Sequence, residues 1–209
     1  KKDRRIKVIA NSENIGLTKS LNKAVRASRG KYIARIDADD IVLPERFDRQ
    51  VKFMDSNLEV GIVGSSYYLI SEEGEIIDKK IPPLRDKELR RVIIRHNVFC
   101  HSSIMVRKEA LERAGFYDEN WRSAQDYELY FRIAKYFKLA NLKESLVCWR
   151  VNKNSAFPRR DREQSKNALK AQIKAIREKQ YPFYCYLCLI RPIISVISPC
   201  FIKKIVRRY

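Results

Sequence analysis

The sequence predicts an α/β fold, because its first part alternates β-rich runs with helical segments. Residues 6–9 and 32–36 are rich in β-forming side chains and predict strands. Residues 17–25 carry apolar side chains at helical spacing, and Pro44 suits the first turn of a second helix. The order strand, helix, strand, helix is typical of a parallel sheet whose ligands bind at the carboxyl ends of the strands.

Both predicted helices carry further signals at their ends and faces. Gly30 is placed to end the first helix, since a glycine at this point readily adopts the left-handed conformation. The second helix is expected to bury an apolar side that includes Phe47, Val51 and Met54.

From residue 60 onward, turn residues and periodicity predict a mixture of strands and helices. The expected elements are strands at 60–70 and 75–77 around the turn Glu72-Glu73-Gly74, a helix at 86–95, a strand at 102–106, a helix at 108–114 ending at Gly115, a helix from Asp126 to 137, a strand at 146–149 and a helix at 161–179. No internal repeat or low-complexity linker interrupts the sequence. Residues 1–155 are therefore predicted to form one domain, and residues 156–209 a basic, helical extension.

Three carboxylates within four residues follow the second predicted strand, in the sequence Asp37-Ala38-Asp39-Asp40. Burial of an unpaired carboxylate is costly, so a strand that ends in three of them makes little sense for stability alone. If the backbone stays extended through Ala38, Asp37 and Asp39 point the same way. Two such oxygen ligands at a strand's carboxyl end are what a divalent cation holding a diphosphate requires. The alternative is a solvated turn in which Asp40 begins the next helix.

Several short motifs occur in order along residues 5–155. They are Asn14-Ile-Gly-Leu, Leu21-Asn22, Arg29-Gly30-Lys31-Tyr32 and Asp37-Ala38-Asp39-Asp40, then His101-Ser-Ser-Ile-Met-Val-Arg-Lys, Gly115-Phe-Tyr-Asp118, Gln125-Asp126-Tyr-Glu-Leu and Trp149-Arg150-Val-Asn152. The first four resemble the nucleotide-sugar half of a family-2 glycosyltransferase with the GT-A fold, and the last four resemble its acceptor half. The Gln-x-x-Arg-Trp motif of processive polysaccharide synthases is absent after Asp126, which favours single-residue transfer over polymerisation.

The resemblance implies a Rossmann-like mixed sheet flanked by helices, Mg²⁺ or Mn²⁺ as cofactor, and inverting transfer from a nucleotide-diphosphate sugar, with a UDP-sugar favoured. It implies Asp39 as a metal ligand, with Asp37 contacting the ribose or sharing the metal. It implies Asp126 as the general base for the acceptor hydroxyl, and a helix N-terminus would favour the ionised form of this base. Asn14 and Gly16 are candidates for nucleotide binding. The candidates on the acceptor side are His101, Ser102 and Gln125.

Each assignment has a structural alternative that the residues alone leave open. Asp126 is compatible with an ordinary N-terminal helix aspartate, Gly16 with a turn glycine, and His101 with a buried histidine whose hydrogen bonds are satisfied. Arg150 is expected either to meet the diphosphate or to pair with a carboxylate. Asn152 stands where the family often carries a histidine near the metal.

The motifs also predict that part of the family's fold is not represented in this sequence. In the family, an amino-terminal βαβ portion with a proline-containing turn and an Asp-Asp-rich loop precedes the matched residues, and nothing here matches it. A βαβ unit occupies roughly 30 residues or more. The expectation is therefore a partial GT-A domain that lacks much of the base pocket, with an inactive fragment as the alternative to an enzyme.

The net charge of +19 points to an anionic partner or substrate. Nucleic acid is a distant alternative, because no zinc finger, RNP-type motif or helix-turn-helix appears and no single recognition helix gathers the basic residues. Apolar runs at 183–190 and 193–202 are interrupted by Arg191, Pro192 and Pro199. This pattern favours a segment lying on an anionic membrane surface over a spanning helix. A hairpin packed on the domain is the other alternative.

Five unevenly spaced cysteines, with no secretory signal recognisable before them, favour a reducing environment. The predicted location is therefore cytoplasmic, peripherally on the cytoplasmic face of the membrane. A sugar or lipid-linked acceptor at that face is consistent with surface-polysaccharide or glycolipid synthesis.

Overall fold

A mixed β-sheet forms the centre of the structure, a computed structural model that describes residues 3–151 and 159–197. Its strands are β1 (Tyr32–Ala34), β2 (Ile41–Val42), β3 (Val60–Ile70), β4 (Ile76–Lys80), β5 (Met105–Arg107) and β6 (Lys138–Arg150). They are hydrogen-bonded in the order β1-β5-β3-β6-β2, and β4 pairs with β3.

The strand directions determine where the loops meet. β3 and β6 are parallel, whereas β5 is antiparallel to both β1 and β3, and β2 is antiparallel to β6. The predicted mixed α/β sheet is confirmed. The sheet is not purely parallel, because the antiparallel β5 lies between β1 and β3. β1, β3 and β6 nevertheless share one direction, so their carboxyl ends lie at the same edge of the sheet.

Helices cover both faces of this sheet. They are α1 (Leu17–Ala27), α2 (Arg46–Ser56), α3 (Asp86–Ile93), α4 (Lys108–Ala114), α5 (Gln125–Ile133), α6 (Arg159–Arg177) and α7 (Ile190–Ile197), with 3₁₀ segments at His101–Ser103 and Phe183–Leu189. Because side chains alternate along a strand, Ile62 and Val106 face the larger core, which contains residues of α3, α4, α5 and α6. Val63 and Met105 face a smaller core that includes Met54 of α2.

The predicted strand at residues 6–9 is wrong. Ile6, Val8 and Ile9 are 63%, 84% and 41% exposed, and no strand within the described residues pairs with them. A β-rich run needs a neighbour for its backbone hydrogen bonds, and sequence composition does not supply one. The predicted end of α1 is also wrong, because the N–H and hydroxyl of Ser28 both donate to the carbonyl of Val25 and end the helix before Gly30.

The buried face of α2 differs from the prediction. Phe47 is 50% exposed, whereas Arg46, Gln50 and Met54 are completely buried. These three residues repeat every four positions and form one face of the helix. Met54 is buried and Val51 packs against the smaller core, as predicted, so Phe47 is the residue of the predicted apolar side that is wrong.

Other elements follow the prediction closely. The turn at residues 72–74 joins β3 to β4, and Gly115 ends α4 with φ 81°. The predicted strand at 102–106 begins instead with a 3₁₀ turn. The last strand is much longer than predicted, since β6 pairs with β3 along its whole length. The basic chain end at 203–208 lies outside the described residues.

Candidate active site

Three strand ends meet at one edge of the sheet, and Arg150, the last residue of β6, connects them. Its backbone N–H donates to Oδ1 of Asp40 at 2.8 Å, and its Nε donates to the carbonyl of Asp39 at 2.9 Å. Its Nη1 donates to the carbonyls of Ser71 and Glu72, in the turn after β3, at 2.8 and 2.6 Å. The guanidinium group therefore binds backbone carbonyls and holds the acidic loop, residues 37–40, against this turn.

Asp37 is half-buried and held from two sides. Arg35, whose side chain is only 10% exposed, forms an ion pair with Oδ1 of Asp37. The hydroxyl of Ser102 donates to Oδ2 of Asp37 at 3.2 Å and accepts the backbone N–H of Asp37 at 3.1 Å. Ser102 thus contacts the acidic loop, and its predicted role on the acceptor side stays a prediction.

Asp39 and Asp40 have different environments. The backbone turns at Ala38 and Asp39, so the extended geometry expected through Ala38 does not persist. Asp39 is exposed, whereas Asp40 is half-buried, and Oδ2 of Asp40 has no hydrogen-bond partner among the described residues. Burial raises the pKa of Asp40, the hydrogen bond from Arg150 opposes the shift, and the charges of Asp39 and Asp37 add to it. Strand β2, not a helix, follows Asp40, so the alternative of a helix-initiating aspartate is wrong.

A buried cation lies beneath the acidic loop. Arg46 donates from Nη2 to the carbonyls of Arg35 and Ile104 at 2.8 and 2.9 Å, and from Nε to Oε1 of Gln50 at 3.0 Å. Burial lowers its pKa to about 10. Through these bonds α2 fixes the backbone at the end of β1, directly before the acidic loop.

Asp126 lies in the first turn of α5, at the positive end of the helix dipole. Ala124, the residue directly before α5, has φ 54°, a left-handed conformation that is uncommon outside glycine. Gln125 is buried and Asp126 is half-buried. Nδ2 of Asn97 donates to Oδ2 of Asp126 at 2.9 Å, and Oδ1 of Asn97 accepts the N–H of Phe99 at 3.1 Å. The amide thus fixes one oxygen of the carboxylate.

His101 lies within electrostatic reach of both carboxylates. It directly precedes Ser102, which bonds to Asp37, and its Nε2 is 3.0 Å from the hydroxyl of Tyr117. Burial lowers the pKa of His101 to about 4, and the negative charges of Asp126 and Asp37 oppose this shift. The ring is therefore uncharged at neutral pH, and the 3₁₀ turn links the acidic loop to the region of α5.

Asn14 and Gly16 form the turn that precedes α1. The N–H of Gly16 donates to Oδ1 of Asn14 at 3.0 Å, and Gly16 has φ 81°, which glycine adopts without the strain of a Cβ atom. Both residues are exposed. Asn22, further along α1, exchanges hydrogen bonds with the backbone of Tyr117 at 2.8 and 3.0 Å. No hydrogen bond in the described part of the chain joins this turn to the acidic loop.

The sequence pattern did not single out Arg35, Arg46 or Asn97. The spacing of Arg46 with Gln50 was a usable signal, but polar residues at helical spacing normally indicate a solvated face. Asn97 had no signal, because its contact with the first turn of α5 arises only from tertiary packing. Asn152 lies outside the described residues.

Residues 1–115, more than half of the chain, match the family model described as glycosyl transferase family 2. The chain belongs to this family. The family-2 glycosyltransferase is 34% identical, over 98% of its length, to an uncharacterized glycosyltransferase of Methanocaldococcus jannaschii, of which it covers 73%. It is 30% identical to the amylovoran biosynthesis glycosyltransferase AmsE of Erwinia amylovora and 32% identical to the O-antigen biosynthesis glycosyltransferase WbnJ of Escherichia coli. These matches cover 82% and 73% of the chain, and 63% and 60% of the two relatives.

Solved structures have the same fold. The mannosyltransferase PcManGT of Pyrobaculum calidifontis, in complex with GDP-Man and Mn²⁺, matches 90% of the family-2 chain with a TM-score of 0.63 and 17% identity. TarS of S. aureus, in complex with UDP, matches 80% with a TM-score of 0.56 and 15% identity. The family-2 chain spans about half the length of these two structures. The predicted GT-A architecture is confirmed.

Within residues 3–151 and 159–197, no group of three or more His, Cys, Asp or Glu side chains is arranged to hold a metal ion. In the same part of the family-2 chain, no helix is long and apolar enough to cross a membrane. Two cavities of about 390 and 540 Å³ lie among these residues, and neither is lined by Asp37, Asp39 or Asp126. Asp39 is exposed, and Asp37 and Asp126 are half-buried.

Proposed function

We propose that this family-2 glycosyltransferase moves a sugar from a nucleotide-diphosphate donor to an acceptor hydroxyl, with inversion and with a divalent metal. The observation that carries the proposal is the 3₁₀ turn at His101–Ser103. Ser102 of this turn donates a hydrogen bond to Asp37. Against the lowering that burial causes, the charges of Asp126 and Asp37 both raise the pKa of the neighbouring His101. The 3₁₀ turn is thus associated both with the acidic loop and with Asp126 at the N-terminus of α5.

The acidic loop suits a metal that is shared with substrate phosphates. Asp39 is exposed and has an oxygen donor set that Mg²⁺ or Mn²⁺ prefers, and so few protein ligands are typical when phosphates complete the coordination. Bound there, the metal would offset the negative charge of the leaving diphosphate. Asp37, oriented by Arg35 and Ser102, is proposed to bind the ribose or share the metal. Asn14 and Gly16 are proposed to meet the nucleotide.

Asp126 is proposed to take the proton of the acceptor hydroxyl as the oxygen attacks the anomeric carbon. The bond from that carbon to the diphosphate breaks on the opposite side, so the configuration inverts. The amide of Asn97 holds one oxygen of this carboxylate, and the first turn of α5 places the carboxylate at the positive end of the helix dipole. His101 and Gln125 are proposed to line the acceptor side.

The biosynthetic setting is proposed from the relatives. The two bacterial relatives above are described as enzymes of amylovoran and O-antigen biosynthesis. We infer that this chain acts in the synthesis of a surface polysaccharide or glycolipid, on a sugar or lipid-linked acceptor at the cytoplasmic face of a membrane. The solved structures hold UDP-GlcNAc in one case and GDP-Man in another, so both donor classes are candidates, with a UDP-sugar favoured from the sequence.

Calorimetric titration tests the donor site. UDP and GDP are titrated into the chain with and without Mn²⁺, together with Asp39→Ala and the control Asp48→Ala, which removes an exposed aspartate of α2. We expect one nucleotide to bind only with Mn²⁺, binding to be lost in Asp39→Ala, and the control to match the parent chain. Metal-independent binding, or equal binding by Asp39→Ala, would contradict the proposed metal site. No binding by the folded chain would favour an inactive fragment.

The base is tested separately, with the nucleotide sugar that the calorimetry identifies. Asp126→Asn is expected to bind the donor as the parent does but to transfer the sugar about a thousandfold more slowly, since general bases contribute roughly 10²–10⁴ in rate. Transfer at the parental rate would exclude Asp126 as the base. Product stereochemistry, read by NMR at the anomeric carbon, checks inversion.

A further inference from the structure

The last described segment leaves large apolar side chains in solvent. In the second 3₁₀ segment Phe183, Tyr184 and Leu187 are 83%, 70% and 70% exposed, and in α7 Ile190 and Ile194 are 53% and 48% exposed. We call these five residues the tail face. The same segment also contains Cys185 and Leu189, which are buried in the larger core. The segment is therefore folded onto the domain on one side and exposes apolar side chains on the other.

Two arginines border the segment that carries the tail face. Arg191 of α7 is exposed, and Nε of Arg162, from α6, donates to the carbonyl of Val196 in α7 at 3.3 Å. Arg95 is exposed as well, and its carbonyl accepts a hydrogen bond at 3.2 Å from Nε2 of Gln172 in α6. No Asp or Glu follows position 178 in the sequence, so carboxylates of this segment cannot neutralise the cations. Apolar side chains bordered by positive charge match an anionic lipid surface.

We propose that the tail face docks on the surface of an anionic membrane without crossing it. α7 has eight residues, about 12 Å of helix, far less than the bilayer core requires. A second copy of the chain is a weaker occupant, because a symmetric interface would bring the arginines of two copies together. An anionic lipid headgroup instead pairs with these arginines while the apolar side chains enter the interface.

Hydrogen bonds join α6, against which the tail segment packs, to α5, the helix of the proposed base. α6 lies between the tail and α5: Nζ of Lys174 donates to Oε1 of Glu128 at 2.8 Å, and Nε2 of Gln172 donates to the hydroxyl of Tyr127 at 3.1 Å. Both acceptor residues belong to α5, which carries Asp126. If the proposed function holds, membrane docking would present the acceptor side of the site to lipid-linked acceptors; docking itself does not depend on that function.

Vesicle sedimentation tests the docking. The 209-residue chain is mixed with vesicles of phosphatidylcholine alone, or of phosphatidylcholine with phosphatidylglycerol, without nucleotide or metal. We expect binding to the anionic vesicles only. Leu187→Ser should weaken it about tenfold through lost apolar burial, and Arg191→Gln about fivefold through one lost charge. The matched controls are Ile77→Ser, which removes an isoleucine that is 60% exposed on β4, and Lys143→Gln, which removes an exposed cation of β6.

Circular dichroism confirms that each variant is folded before sedimentation. Equal loss in Ile77→Ser and Leu187→Ser would show nonspecific stickiness and overturn the proposal. So would failure of the folded chain to bind anionic vesicles, or self-association that only Leu187→Ser abolishes. Because no nucleotide is present, failure of docking and failure of donor binding are separate results.

Discussion

The structure buries Arg46, the first residue of α2, completely and leaves its neighbour Phe47 half-exposed. The sequence pattern places Phe47 on the buried side of this helix, so the two assign different helix faces to the core. Truncation of each side chain to alanine therefore decides between them. The measured quantity is the free energy of unfolding in urea, followed by far-ultraviolet circular dichroism.

Three terms determine the expected loss for Arg46→Ala. The cavity left by a buried side chain costs about 2–5 kcal/mol. The carbonyl of Arg35 and the amide of Gln50 lose a charged donor, which costs about 1–3 kcal/mol for each buried group left without a partner. Burial of the guanidinium group lowers its pKa to about 10, so removing the charge returns about 3 kcal/mol. The cavity and the lost hydrogen bonds outweigh the returned burial cost, and the expected net loss is about 3 kcal/mol.

Two matched variants complete the experiment. Phe47→Ala should cost only about 1 kcal/mol, because half of the side chain already meets water. Arg49→Ala removes an arginine from the exposed side of the same helix and should change stability little, since its ion pairs with Glu45 and Glu144 lie at the surface. A loss for Phe47→Ala equal to or greater than that for Arg46→Ala would refute the assigned helix face.

Three further predictions concern the site. Asn97→Ala should lower kcat about tenfold with little change in the donor KM, because it releases one oxygen of Asp126; an unchanged kcat would exclude a positioning role. Asp40→Asn should raise the melting temperature at pH 7, because the raised pKa of Asp40 means that the folded state disfavours its charge. This gain should vanish in acid, where Asp40 is protonated. A lower melting temperature of the variant at pH 7 would contradict the prediction. His101→Gln should lose less stability than the parent as the pH falls from 6.5 to about 4. In the parent, the unfolded state binds a proton at His101 over this range and the folded state does not, so acid favours unfolding. Identical acid unfolding of the two proteins would argue against a desolvated ring.

Much of the candidate site could be predicted from the sequence because its signals are local. Asp37, Asp39 and Asp126 occur in short motifs whose order along the chain indicates the family, and a strand followed by acidic residues indicates a ligand site whatever the strand pairs with. Gly115 is similar, because a glycine after a short helical run is a local cue for a left-handed cap.

Residues whose roles depend on contacts distant in sequence were not predictable in this way. Asn97 reaches Asp126 across 29 positions, and Arg150 reaches Asp40 across 110. A pattern of residue types carries no information on which distant carbonyl or carboxylate a side chain will meet. The same limit produced the strand predicted at 6–9, whose composition favours β structure although no described strand pairs with it.

The sequence by itself therefore determined the family, the α/β class and the carboxylates proposed for donor binding and proton transfer, because motif order, periodicity and local turn chemistry are properties of neighbouring residues. Only the tertiary structure decided which polar groups hold those carboxylates. Arg35 and Ser102 orient Asp37, Arg150 fixes the acidic loop, and Arg46 is buried beneath this loop. The antiparallel β5 places the 3₁₀ turn beside the acidic loop. A polar group in the core must find its hydrogen-bond partners wherever the fold provides them.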